Sequence, residues 1–249
     1  MYSLMGANKA MREAVTSQAA QHDTALTAKV ARIYALLVDT YGVPPWEPSG
    51  DALGELVATI LSQHTSDVNS ERAYAQLRTR FATWEAVRDA PVAEVEDAIR
   101  SGGLAQQKAE RIQRILRLLS EQMGDAPLTL DVLNALPLED ALAYLEALPG
   151  VGPKTAACVL LFSLGRPAFP VDTHVWRVSQ RLGLIGPKIG ANAAHTLLLG
   201  LIPPEWRHTM HVDLIRHGRQ ICHARNPECP RCPLRAECQY YWALVATER

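Results

Sequence analysis

Leu148-Pro149-Gly150-Val151-Gly152-Pro153-Lys154-Thr155-Ala156-Ala157 reads as a tight turn between two helices. Its two glycines can take positive φ and let another backbone approach closely. Pro153 suits the first position of the second helix. The free N–H groups at that helix start form a phosphate site, with Gly150, Gly152 and Thr155 as the gripping positions. Such a hairpin holds a nucleic-acid backbone without reading its sequence; an ordinary connector between helices is the alternative. Lys154 adds a second signal. The chain has 20 arginines and five lysines, yet this helix start carries a lysine. Arginine stays charged, whereas lysine can lose its proton and attack carbon, as a Schiff-base nucleophile must. A solvated, phosphate-binding lysine is the simpler reading.

Eighteen residues on, Val171-Asp172-Thr173-His174-Val175-Trp176-Arg177-Val178 opens an amphipathic helix. Asp172 reads as its N-cap. It also reads as a carboxylate that could stabilise positive charge at a sugar carbon and activate the lysine, and both roles can hold together. His174 reads as a structural hydrogen-bonder.

Outward from these motifs the pattern is helical almost throughout, so the expected fold class is all-α, with about ten or more helices. Helices are predicted over 28–38, 53–61, 70–81, 92–99, 108–123, 154–164, 173–182, 191–201 and 209–221, with two short ones within 129–147. Turn-rich breaks fall at 42–50 and at 101–103. Residues 1–25 read either as a short helix or as a disordered tail.

Near the C-terminus, Cys222, Cys229, Cys232 and Cys238 follow the spacing C-x6-C-x2-C-x5-C, four of the chain's five cysteines within 17 residues. Four thiolates this close suit one [4Fe–4S] cluster. Structural zinc more often takes two tight pairs across a longer loop, so the spacing favours iron–sulfur over zinc. A disulfide framework is not expected in a chain of 249 residues, which can bury a sufficient core. Cys158 is expected to pack as a small apolar residue and not to ligate.

The net charge of −1 does not announce a nucleic-acid binder, but its distribution does more. Between Leu148 and Gly190 lie Lys154, Arg166, Arg177, Arg181 and Lys188 against one acid, Asp172. Arg219, Arg225, Arg231 and Arg235 flank the cysteines, while acids gather at 47–55, 85–97 and 131–146. A basic face on a neutral protein follows, with a mixed solvated surface as the alternative. No run of 18 apolar residues suggests a membrane span, and no secretory signal pattern opens the chain. An intracellular, cytoplasmic or nucleoid, monomeric protein is expected.

Together, L-P-G-V-G-x-K-T-A, V-D-T-H-x-x-R-V and the four-cysteine pattern, in this order, resemble the endonuclease III family of DNA glycosylases over about residues 50–240. The resemblance implies a six-helix barrel domain with the helix-hairpin-helix over 46–165. A discontinuous iron–sulfur domain would comprise 1–45 and 166–249, with DNA gripped in a cleft between the two. It implies a bifunctional DNA glycosylase/AP lyase acting on duplex DNA that carries damaged bases, oxidised pyrimidines as a class, or abasic sites. Lys154 would be the nucleophile, Asp172 the essential carboxylate, and Cys222, Cys229, Cys232 and Cys238 the cluster ligands. Rival readings are a monofunctional mismatch glycosylase and a non-catalytic helix-hairpin-helix DNA-binding protein. The segment Ile60-Leu61-Ser62-Gln63-His64-Thr65 resembles the one that fills the gap left by a flipped base. In register His64 takes the gap-filling position and Gln63 precedes it; Leu104 matches a second wedge residue.

Overall fold

The computed structural model describes residues 24–247. The open alternative for the N-terminal stretch, as far as residue 23, lies outside them. Every regular element among the described residues is helical, as expected for an all-α chain. In chain order the α-helices are α1 (24–41), α2 (Ala52–Ser62), α3 (Asp67–Arg80), α4 (Trp84–Asp89), α5 (Val92–Ala98), α6 (Ala105–Met123), α7 (Leu138–Glu146), α8 (Pro153–Cys158), α9 (Thr173–Leu182), α10 (Ala191–Leu201), α11 (Arg207–Gln220) and α12 (Gln239–Thr247). The chain divides into two compact units, Pro45–Pro170 and a discontinuous one made of Met1–Pro44 and Val171–Arg249.

The Pro45–Pro170 unit is built around the apolar faces of α2 and α6. Leu53, Leu56, Ile60, Ile112, Ile115 and Leu116 are all buried in one core. Local caps set the helix starts. Asp51 Oδ1 accepts from the Gly54 amide at 2.7 Å, and Ser66 and Thr83 cap α3 and α4 with their side chains. The predicted 154–164 helix is not uniform. After Cys158 it widens into a π-helical turn, Val159–Ser163, where the Ser163 hydroxyl takes the Val159 carbonyl.

In the discontinuous unit, α1 buries Val30, Ile33 and Leu37. Arg32 forms a two-point ion pair with Glu237 (2.7 and 3.0 Å), Lys29 donates to the Leu182 carbonyl, and Tyr34 stacks on Trp206 with centroids 4.5 Å apart. Helix α9 packs against α11 so closely that a Cβ at Gly218 would sit 2.8 Å from that of His174. His174 accepts from Arg177 Nη2 at 3.1 Å, the structural role read from the sequence.

Asp213 on α11 is wholly buried. Its Oδ1 accepts from Arg216 at 3.3 Å, and among the described residues Oδ2 has no partner. Burial, only partly opposed by Arg216, pushes the carboxyl up to about 6. A raised acid costs stability only when it ionises in the folded state. The cost is therefore absent below about pH 4, grows up to about pH 6 and is full above it. Asp213→Asn should stabilise the protein by about 2–3 kcal/mol at pH 7.5, with the gain vanishing near pH 4. Urea unfolding across that range checks this; a gain independent of pH would contradict it.

Candidate nucleic-acid interface

The hairpin forms between α7 and α8. Leu148 and Val151 are buried beneath the turn, and the Val151 amide donates to the Leu148 carbonyl at 3.1 Å. Gly150 takes φ +72°, the left-handed conformation expected of it. Gly152 does not: at φ −106°, ψ 177° it is an extended N-cap, with Pro153 at the first helical position. A Cβ on Gly152 would meet nothing within 4 Å, so its surroundings are open on the outer side of the turn.

Lys154 occupies the second residue of α8 and is half-buried. Helix α2 packs on α8, and Glu55 in its first turn is the carboxylate that feels the Lys154 charge. Burial raises the Glu55 carboxyl; a hydrogen bond from Thr59 (3.3 Å) and the Lys154 ammonium pull it back down. The sequence reading missed Glu55, because nothing in the local pattern distinguishes it from a solvated helix-start acid.

Gln63 caps the C-terminus of α2, and both ends of its amide are engaged. Arg111 Nη1 donates to its Oε1 at 2.8 Å, and its Nε2 donates to Thr155 Oγ1 at 3.3 Å. His64 next to it is exposed at φ +56°. Leu104, at φ +47°, precedes α6 and is 51% exposed. Left-handed backbone is uncommon for residues with a side chain, and it concentrates at functional positions. Asn226 is the third such residue described. Lys108, 3% exposed, holds the backbone just ahead of His64 and of Leu104: its Nζ donates to the Leu61 carbonyl at the end of α2 (2.7 Å) and to the Gly102 carbonyl (2.8 Å). Burial, with the Arg111 charge, lowers its ammonium pKa.

In the other unit, Asp172 is the N-cap of α9, with Oδ1 accepting from the Val175 amide at 2.7 Å. The far end of the same helix supplies Val178, Arg181 and Leu182 to a cavity of ≈ 380 Å³, counted out to solvent. Cys222, Cys229, Cys232 and Cys238 all line that cavity, and none of the five cysteines is in a disulfide. Arg181 Nη1 donates to Cys222 Sγ (3.2 Å) and to the His223 carbonyl (2.7 Å); Arg177 holds the Cys222 carbonyl through two nitrogens. His217, whose imidazole burial lowers to about 4, bridges Tyr41 Oη (3.0 Å) and Cys232 Sγ (3.5 Å). Among the described residues no three His, Cys, Asp or Glu side chains converge as they would around a metal ion. Cys158 is buried on α8, away from the segment 222–238 in sequence and in the other unit. No described helix is long and apolar enough to cross a membrane.

Comparison with known proteins places this arrangement. The model of the HhH-GPD superfamily of base excision DNA repair proteins matches residues 57–204. A relative in Arabidopsis thaliana, provisionally named as a DNA glycosylase, is 40% identical over 170 residues, 68% of this chain but 57% of its own length. Endonuclease III of Escherichia coli K12 is 38% identical over 186 residues, 74% of this chain and 82% of that protein. A solved structure of a trapped endonuclease III–DNA covalent intermediate, an estranged-adenine complex, superposes with a TM-score of 0.73 at 28% identity. It covers 88% of this chain and 98% of its own. The hairpin at 148–157 lies inside the matched region, and this chain belongs to the endonuclease III family within the HhH-GPD superfamily of base excision DNA repair proteins.

Proposed function

We propose that the protein is a bifunctional DNA glycosylase/AP lyase that removes damaged bases, oxidised pyrimidines as a class, and nicks the strand at the abasic site. The observation that carries this reading is the lysine at the second residue of the hairpin helix, in a family where relatives act on DNA. The damaged nucleotide is rotated out of the stack. The Lys154 Nζ lone pair attacks C1′, and the C1′–N bond breaks with its electron pair leaving on the base, which takes up a proton. Asp172 offsets the positive charge that develops at the sugar. After ring opening the adduct is a protonated Schiff base. It acidifies the C2′ proton, so β-elimination expels the 3′ phosphate. Water then releases the lysine. Gly150, Gly152 and Thr155 hold the backbone, and His64 with Leu104 enters the duplex in place of the flipped base. Gln63, engaged at both ends of its amide, supports His64 rather than filling the gap itself.

The test is incubation with duplex bearing an oxidised pyrimidine, with and without borohydride. A trapped covalent adduct is expected. Abasic product without adduct would replace the lyase with a monofunctional enzyme; binding with neither would leave a DNA-binding protein.

The four thiols around one cavity, with Arg181 directed at Cys222, fit a thiolate-bound cluster in donor type. Cys222, Cys229, Cys232 and Cys238 would hold [4Fe–4S]. When bound, it serves as a structural cross-link of the C-terminal segment. The purified protein should be yellow-brown with about four irons per chain. Cys158→Ala should keep that colour, whereas Cys229→Ala should lose most of it. One zinc per chain in a colourless protein would overturn the assignment and leave the Lys154 chemistry untouched.

A further inference from the structure

Of the four cations on α6, Lys108 and Arg111 stand one turn apart, and neither is paired with a carboxylate among the described residues. Lys108 fixes the backbone just ahead of His64, at the end of α2, and just ahead of Leu104. Arg111 does something different. Its side chain lies across the hairpin turn, so that a Cβ at Gly150 would stand 2.6 Å from its Nε. Its Nη1 reaches Gln63, and Gln63 reaches Thr155. The chain of contacts thus starts at the hairpin turn and passes through the residue before His64. It ends at the residue after Lys154.

We infer that Arg111 is a specificity-determining positioning residue: by fixing Gln63 between α6 and α8, it couples how His64 meets the unpaired base to how Lys154 meets the sugar. This rests on the proposed roles of His64 and Lys154. A guanidinium suits the task because it stays charged and donates in a fixed plane. The charge-assisted bond to Gln63 is stronger than a neutral one. A base opposite the lesion that pushes His64 aside must also displace Gln63, and the strain reaches Thr155. Opposite-base preference would then be read at the nucleophile and not only at the wedge.

The experiment measures single-turnover base release from duplexes carrying one lesion opposite adenine or opposite guanine. It compares full-length wild type, Arg111→Met, Arg111→Lys, Gln63→Ala and the Arg111→Met/Gln63→Ala double variant. The wild-type ratio of the two rates is expected to change about tenfold in Arg111→Met and in Gln63→Ala, and no further in the double variant, since both break one chain of contacts. Arg111→Lys, which keeps a donor for Gln63, should retain most of the ratio. A wild-type ratio in Arg111→Met, or a double variant equal to the product of the singles, would overturn the inference. Thermal unfolding reports whether Arg111→Met folds. If it does not, an unchanged ratio in Gln63→Ala overturns the inference and a tenfold change sustains it. A wild type that releases base but traps nothing counts against Lys154 as the nucleophile; the ratio, read from base release and not from trapping, still tests whether the contacts from Arg111 through Gln63 to Thr155 set opposite-base preference.

Discussion

Lys154→Gln should abolish borohydride trapping while leaving affinity for lesion-bearing duplex within about threefold of wild type. The amide is close in length to the amine and cannot form a Schiff base. In the proposed reading the hairpin would hold phosphate through backbone N–H groups, which the substitution does not touch. Pro153 already fixes the start of α8, so the helix does not depend on the Lys154 ammonium to begin there. Gel-based trapping and a titration of labelled duplex measure the two quantities separately. An adduct formed by the Gln variant would identify another amine as the nucleophile. Loss of binding would show that the ammonium itself is the phosphate contact.

Asp172→Asn separates the cap from the charge. Asparagine caps helices about as well as aspartate, and its side-chain oxygen can still accept from the Val175 amide, so stability should change by less than about 1 kcal/mol. The charge is lost. If the carboxylate steadies the developing positive sugar, base release should slow by about two orders of magnitude or more, the range for removing a key electrostatic group. Single-turnover excision together with a urea melt reads both. An Asn variant with wild-type excision would reduce Asp172 to the helix cap that the structure shows.

Much of this was legible in the chain because its signals are local. Thr173–Leu182 and Ala191–Leu201 run over the spans that periodicity predicts, since caps and breakers stand next to each of them. Trp84–Asp89 escaped because six residues are too few to display a helical period. Gln239–Thr247 follows directly on the cysteine segment with almost no polar face to mark it. The same division runs through the site. Lys154 and Asp172 sit at helix starts, where neighbouring residues announce the geometry. The contacts of Lys108 with Leu61 and of Arg111 with Gln63 could not be read, because those partners lie 47 and 48 residues away and ordinary helix-surface cations look the same in sequence. Gly152 shows the opposite error: a glycine in a turn invites a positive φ, but here it is extended, and only Gly150 needs the left-handed conformation.

The discontinuous unit sets an order of events during synthesis. Pro45–Pro170 is an unbroken stretch of chain and can collapse as soon as it has left the ribosome. Helix α1, made earlier, has to wait. Arg32 meets Glu237 only after 205 more residues, and Lys29 meets Leu182 after 153. At ordinary translation rates the first of these delays is roughly 10–40 s. Val30, Ile33 and Leu37 of that helix are buried in the finished protein, and its ion pair to Glu237 forms only once the cysteine segment has emerged. The discontinuous unit is therefore completed after the continuous one, and a nascent chain stalled before residue 222 would hold a finished hairpin while α1 still lacked its Glu237 partner.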